Sequence, residues 1–283
     1  MAETGSGTRE RWALILGASS GFGAATARAL AREGYAIVGV HLDLRASKAI
    51  ADGVRDEIAA MGVPVVFHNV NAADEVRRGE VIADISARFA ERRAAGADPV
   101  IAVFLHSLAF GTTLDYLSVD PNRREVSQKQ IEMTADVMGH SMIWWVRDLF
   151  HAGLIRPGSR LFAMTSEGAI KNVPTYGPVS AAKAALESHS RQLALELIPH
   201  GITVNCIRAG VTDTPALRRI PGHEELRDFA RERNPGGRLT TPEDVAEAII
   251  ALASPRLGWM TGNTIGVDGG ELMGTRQVGV KEA

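Results

Sequence analysis

Short apolar runs alternate with longer stretches of helical period along nearly the whole chain. The runs fall at 12–16, 36–41, 64–68, 99–106, 159–165, 201–207 and 262–267. Continuous apolar character over so few residues predicts strands buried on both faces. Between them, apolar positions recur at helical spacing near 22–33, 47–61, 73–94, 126–152, 178–198 and 242–253. The last of these opens with Thr241-Pro242-Glu243-Asp244, where threonine caps, proline fits the first turn and two acids face the positive end of the helix dipole. Regular alternation of this kind predicts an α/β fold, a single doubly wound domain over 11–283 with a seven-stranded parallel sheet and helices on both faces. Residues 1–10 carry no such pattern and are expected to form a flexible tail.

Two stretches interrupt the alternation, 107–125 after the fourth strand and 210–240 after the sixth. Both leave the carboxyl ends of strands, where open α/β sheets bind ligands, so they are expected to form lids and substrate walls. Within 212–236, Leu226, Phe229 and Ala230 fall at helical spacing on an otherwise charged segment, which predicts a short helix with one narrow apolar stripe.

Charge and composition narrow the function. Thirty-one basic residues against 33 acidic ones give a net charge of −2, leaving no basic surplus to offset a nucleic-acid backbone or an anionic membrane. The apolar runs are too short to span a bilayer, and the first residues lack both the basic start and the apolar run of a secretory signal. Cys206 is the single cysteine, which excludes an internal disulfide and a cysteine-based zinc site. A cytoplasmic protein without a metal is expected, with Cys206 buried in a strand.

The first strand runs into Gly17-Ala18-Ser19-Ser20-Gly21-Phe22-Gly23, and a helix begins at once. Residues without Cβ let the backbone approach a pyrophosphate, whose charge meets free N–H groups at the helix N-terminus. The second strand ends in His41-Leu42-Asp43-Leu44-Arg45. An acid there reads ribose hydroxyls, favouring NADH, and a base receives a 2′-phosphate, favouring NADPH. Asn69 and Val70, closing the third strand, are candidates for the adenine edge.

After the fifth strand come Thr165-Ser166-Glu167-Gly168 and then Tyr176-Gly177-Pro178-Val179-Ser180-Ala181-Ala182-Lys183. Seven residues are nearly two helical turns, so a tyrosine at the helix entrance and a lysine within it share a face. The ammonium is expected to lower the phenol's pKa and hold cofactor hydroxyls, leaving the phenol to donate to a developing oxyanion.

Together with Asn205…Ala209-Gly210, Thr212-Asp213-Thr214-Pro215 and Val267-Asp268-Gly269-Gly270, these motifs resemble the short-chain dehydrogenase/reductase superfamily over roughly 11–273. The resemblance implies a Rossmann-type fold and adds Ser107, Leu108, Ala109, Gly210, Val211, Thr212 and Thr214 to the cofactor-binding candidates. Most members carry Tyr-x-x-x-Lys, but position 179 here is valine. The Tyr176-x6-Lys183 spacing instead resembles bacterial enoyl-acyl carrier protein reductases, as do Leu105-His106-Ser107-Leu108-Ala109-Phe110, Asp136 and the long 212–240 segment. Ser166, ten residues before Tyr176, stands where those enzymes carry a second tyrosine and where ordinary members carry a catalytic serine.

The resemblance implies reduction of a trans-2-enoyl thioester carried on acyl carrier protein or CoA. Tyr176 and Lys183 would be the catalytic pair, NADPH is favoured over NADH, and the assembly would be a homotetramer built on the 126–152 and 178–198 helices. Two other readings stay open: a carbonyl/alcohol oxidoreductase using Ser166, Tyr176 and Lys183, and a non-catalytic sensor of nicotinamide state.

Overall fold

The computed structural model describes residues 8–274. Seven parallel strands form one sheet, β1 (Thr8–Leu16), β2 (Ala36–His41), β3 (Val65–Asn69), β4 (Ala97–His106), β5 (Arg160–Thr165), β6 (Thr203–Ala209) and β7 (Thr264–Val267). Their spatial order is β3-β2-β1-β4-β5-β6-β7. The order reverses between β1 and β4, and a crevice opens beyond their carboxyl ends at that switch point. Residues 1–7 of the expected tail lie outside the described residues, while Thr8–Glu10 pair with Ala97–Pro99 and lengthen β1.

Two apolar layers sandwich the sheet. On one face, α1 (Gly21–Arg32), α2 (Arg45–Ala59) and α8 (Pro242–Leu252) pack over Ile15, Ile37, Val103, Phe162 and Ile207. On the other, α3 (Glu75–Ala94), α5 (Ser141–His151) and α6 (Gly177–Leu197) cover Leu14, Val38, Phe104, Leu161 and Val204. Adjacent residues of each strand thus feed opposite layers, which is why the runs read as continuously apolar. Thr241 caps α8 through a reciprocal pair with Asp244, as its sequence predicts. Cys206 is free and buried in β6.

The helix expected over 126–152 is interrupted. It forms α4 (Gln128–Ala135), a π-helical turn at Asp136–His140, and then α5. Gly139 in that turn lies so close to α6 that a Cβ there would sit 3.0 Å from the Ala182 carbonyl oxygen. The widened turn turns Asp136 out to solvent and sends Ser141 inward. The charged 223–233 segment forms α7 (His223–Arg233), where Ala230 is buried and Phe229 stays 54% exposed under the Arg233 guanidinium.

Candidate active site

The glycine loop joins three strand ends. The Gly17 and Ala18 N–H groups both donate to the Val40 carbonyl, at 2.8 and 3.2 Å, and Ser107 N–H donates to Leu16 at 2.9 Å. A Cβ on Gly17 would meet the Ser107 carbonyl at 2.4 Å, and one on Gly23 would meet the Gly17 carbonyl at 2.1 Å. Both glycines are therefore required by close backbone approach. The Ser20 side chain makes no capping bond at the start of α1. Thr214, from beyond β6, lies over Gly21, with its methyl 3.6 Å from where a Cβ would be. The structure thus brings Gly17–Gly23, Ser107 and Thr214 together around a helix N-terminus open at its cap, and this cradle fits a pyrophosphate.

At the end of β2, His41 Nδ1 and Asp43 Oδ2 are 2.8 Å apart. Burial acts to raise the Asp43 carboxyl, but hydrogen bonds from Ser19, Ser47 and His41 outweigh it and hold the group below the ordinary carboxylate range. Asn69 lies exposed beside this turn at the end of β3. Its amide oxygen accepts Asp43 N–H and its amide nitrogen donates to the Asp43 carbonyl, both at 2.9 Å, so it braces the turn that presents the acid. Val70 N–H likewise donates to the His41 carbonyl at 2.8 Å. Arg45 begins α2 with its side chain exposed.

Across the crevice, Tyr176 stands at the entrance of α6, its ring against Gly168, where a Cβ would meet Tyr176 Cε1 at 2.6 Å. The preceding residue, Thr175, has φ +62°, a left-handed conformation that a β-branched side chain adopts only under strain. Its hydroxyl is also buried without a partner. Burial pushes the Tyr176 phenol above its ordinary pKa, and the neighbouring Ser166 hydroxyl acts in the opposite sense. The expected lowering by Lys183 is thus corrected: desolvation dominates, and Lys183 has other partners.

Lys183 is 5% exposed, and its Nζ donates to the Met164 carbonyl at 2.7 Å and the Leu108 carbonyl at 3.3 Å. Burial pulls its pKa down to about 8, against Cys206 and Glu187, which both act to raise it. The ammonium therefore ties the ends of β4 and β5 to α6. Position 179, where most of the superfamily carries tyrosine, is a fully packed valine. Gly111, in the loop after β4, closes over it so tightly that a Cβ there would meet Val179 Cγ2 at 3.0 Å.

His106 is buried at the end of β4, and its Nε2 lies 2.8 Å from Ser141 Oγ, which itself donates to the Val137 carbonyl at 2.8 Å. Burial, helped by the Lys183 charge, lowers its pKa to about 3, so it is a neutral structural donor. His140 pairs with His189 at 3.0 Å, outside the crevice chemistry. Beyond β6, Thr212 closes on the Gly210 carbonyl at 2.9 Å, and Val211 N–H donates to Glu271 at 3.0 Å. Ala109 is exposed at the crevice mouth.

Thr175, Glu187 and Glu271 were not among the sequence candidates. Glu187 carried a readable signal, since it lies one turn beyond Lys183 on the same helix face. Glu271 and Thr175 carried none, because their contacts come from loops.

A family model described as enoyl-(acyl carrier protein) reductase matches residues 17–271. The chain is 31% identical over 271 residues to cis-4-hydroxycyclohexanecarboxylate dehydrogenase of Sinomonas cyclohexanicum, covering 92% of this chain and 96% of that one. It is 31% identical over 168 residues to the NADH-dependent enoyl-[acyl-carrier-protein] reductase of Aquifex aeolicus, covering 59% and 61% of the two chains. A crystal structure of the enoyl reductase from that organism superposes with a TM-score of 0.76 over 96% of this chain and 98% of its own, at 25% identity. The promiscuous reductase LugOII, which catalyses keto-reduction at C1 in lugdunomycin biosynthesis, superposes with a TM-score of 0.79 at 25% identity, over 95% and 100% of the chains. Glycine loop, Tyr176 and Lys183 stand on one seven-stranded parallel sheet, and the chain belongs to the short-chain dehydrogenase/reductase superfamily of NAD(P)(H)-using oxidoreductases, within the family described as enoyl-(acyl carrier protein) reductase.

Proposed function

We propose that this protein reduces trans-2-enoyl thioesters. The observation that carries the reading is the placement of the Tyr176 phenol at the entrance of α6, two turns before Lys183, with position 179 closed off by Val179 under the Gly111 loop. Nicotinamide, when bound, supplies the hydride that C3 of the substrate receives. Negative charge then builds on the thioester oxygen as an enolate, and Tyr176 donates its O–H to that oxygen. A phenol whose pKa is raised by burial stays protonated at neutral pH, which suits a donor to an oxyanion better than a base that must take a proton from an alcohol. The proton completing reduction at C2 comes from Tyr176 or solvent. Lys183 holds the nicotinamide ribose with its ammonium, and Glu271 steadies the 210–214 loop at the nicotinamide end.

The cofactor in this reading is NADH. The sequence-based preference for NADPH rested on Arg45 and on the resemblance to NADPH-dependent enoyl reductases, but the braced, anionic Asp43 occupies the turn where a 2′-phosphate would have to sit. Acyl carrier protein or CoA carries the substrate, and copies of the chain associate as a homotetramer through α5 and α6, which leave Trp144 and Leu195 exposed.

One observation favours a second reading. The Ser166 hydroxyl lies beside Tyr176, an arrangement that also serves a ketone, with hydride delivered to the carbonyl carbon and a proton from Tyr176 to its oxygen. Oxidation of NADH and NADPH with crotonyl and longer enoyl thioesters, run beside a panel of ketones and cyclic alcohols, separates the two. Turnover confined to ketones or alcohols rejects the first.

A further inference from the structure

A second charged side chain is buried on α6 one turn beyond Lys183. Glu187 follows Lys183 by one turn of α6 and is 8% exposed. Its Oε1 accepts the Thr165 hydroxyl at 2.8 Å. Lys183 donates to the carbonyl of Met164, the residue before Thr165, at 2.7 Å. Two consecutive residues at the end of β5 are therefore gripped by two charged side chains one turn apart on α6. The next residue of that strand end is Ser166, whose hydroxyl accepts Gly168 N–H at 3.1 Å beneath the Tyr176 ring.

We propose that Glu187 is a positioning residue that keeps Lys183 cationic and fixes the β5 end carrying Ser166, through the Lys183–Met164 and Glu187–Thr165 bridges. Its role in coenzyme binding rests on the reading above, in which Lys183 holds the ribose.

The charges around the lysine support this. Facing Lys183 are His106 from β4, Cys206 from β6 and Glu187 from its own helix. His106, lowered to about 3, is neutral, and Cys206, pushed up to about 11 by burial, remains a thiol. Arg191, one turn further along α6, bears on Cys206. Of the groups facing the ammonium, Glu187 is the carboxylate, one helical turn away on the same face. A buried ammonium without such a partner discharges readily, because desolvation disfavours its charged form. A neutral Lys183 loses the donor strength that ribose hydroxyls require.

Glu187→Gln tests this, because it keeps the shape and the acceptor for Thr165 while removing the charge. Lys183 is titrated directly in the protein by carbon NMR of labelled lysine, its resonance assigned by its absence from Lys183→Met. NADH affinity is followed by fluorescence over the same pH range. In Glu187→Gln the Lys183 midpoint is expected to fall by about one unit. NADH affinity at pH 8 is expected to drop several-fold while remaining close to wild type at pH 6.5, and Glu187→Asp restores most of both. An unchanged midpoint in a folded Glu187→Gln protein overturns the proposal. If that variant does not fold, Thr165→Val provides the second arm. It breaks the bridge but keeps the charge, and should lower turnover without moving the midpoint; unaltered turnover overturns the bridge. A lowered midpoint with unaltered NADH affinity leaves Glu187 as the partner of Lys183 and rejects instead the assignment of Lys183 to the ribose.

Discussion

His41 Nδ1 and Asp43 Oδ2 lie 2.8 Å apart at the end of β2, and Asn69 holds the Asp43 backbone through both its N–H and its carbonyl. The acid that would read a ribose is thereby fixed in place before any ligand arrives. A 2′-phosphate entering the same turn meets a fixed negative charge, whereas ribose hydroxyls meet an acceptor.

Asp43→Ala should therefore weaken NADH binding by about tenfold, the equivalent of one charge-assisted hydrogen bond, and leave NADPH unchanged or improved. Michaelis constants for both coenzymes in wild type and variant check this. A wild type that prefers NADPH, with Arg45→Ala abolishing the preference, would restore Arg45 as the selector.

Thr175 bears the left-handed turn that delivers Tyr176 to the crevice. Thr175→Gly removes a conformation costing about 1–3 kcal/mol and an unpartnered buried hydroxyl, against an added chain entropy of about 0.5–1 kcal/mol. Its stability should equal or exceed that of wild type. Thr175→Pro, with φ fixed near −65°, should lose turnover outright. Melting temperatures and turnover numbers for the pair provide the check, and a Thr175→Gly protein destabilised by more than about 2 kcal/mol would contradict the strain.

His106 gives the fold an acid-sensitive point. Its folded pKa of about 3 lies below the ordinary 6.5, so between those values the unfolded chain binds more protons than the native one. Stability is then fully present above pH 6.5 and falls as the pH drops toward 3. Urea midpoints at pH 7 and pH 4.5 should diverge in wild type, and the gap should narrow in His106→Gln. An equal gap in both proteins would locate the sensitivity elsewhere.

In α7, Ala230 is buried while Phe229 stands largely in solvent. A helix docked by so little apolar surface opens easily. Amide exchange across 215–233 should be fast in the free protein and slow on addition of NADH with a non-reducible acyl thioester. Equal protection in both states would make this segment fixed structure and not a lid.

The strands and most helices were legible because the two-sided burial of a parallel sheet writes itself as apolar runs. The glycine loop and the Tyr176–Lys183 pair were legible because spacing alone puts them at strand ends and on one helix face. What escaped was set by contacts distant in sequence. Thr8–Glu10 join β1 because Ala97–Pro99 lie beside them, although their own side chains are polar. The π-helical turn at 136–140, where Gly139 approaches Ala182, leaves Asp136 exposed, and no residue pattern announces it. Asn69 reads as a free amide until its two bonds to Asp43 are seen. Glu187 shares the Lys183 face by spacing, but its bond to Thr165 appears only when α6 is laid against β5. The sign of the Tyr176 shift depends on burial, which spacing does not report.

In the proposed reaction the Tyr176 hydroxyl stabilises the oxyanion of an enoyl thioester. Tyr176→Phe keeps the ring against Gly168 and removes the donor alone. Turnover of crotonyl thioester with NADH should fall at least a hundredfold, the effect of losing about 2.7–4 kcal/mol of transition-state stabilisation, with NADH affinity unchanged. Near-normal turnover of the enoyl thioester by Tyr176→Phe would contradict the account.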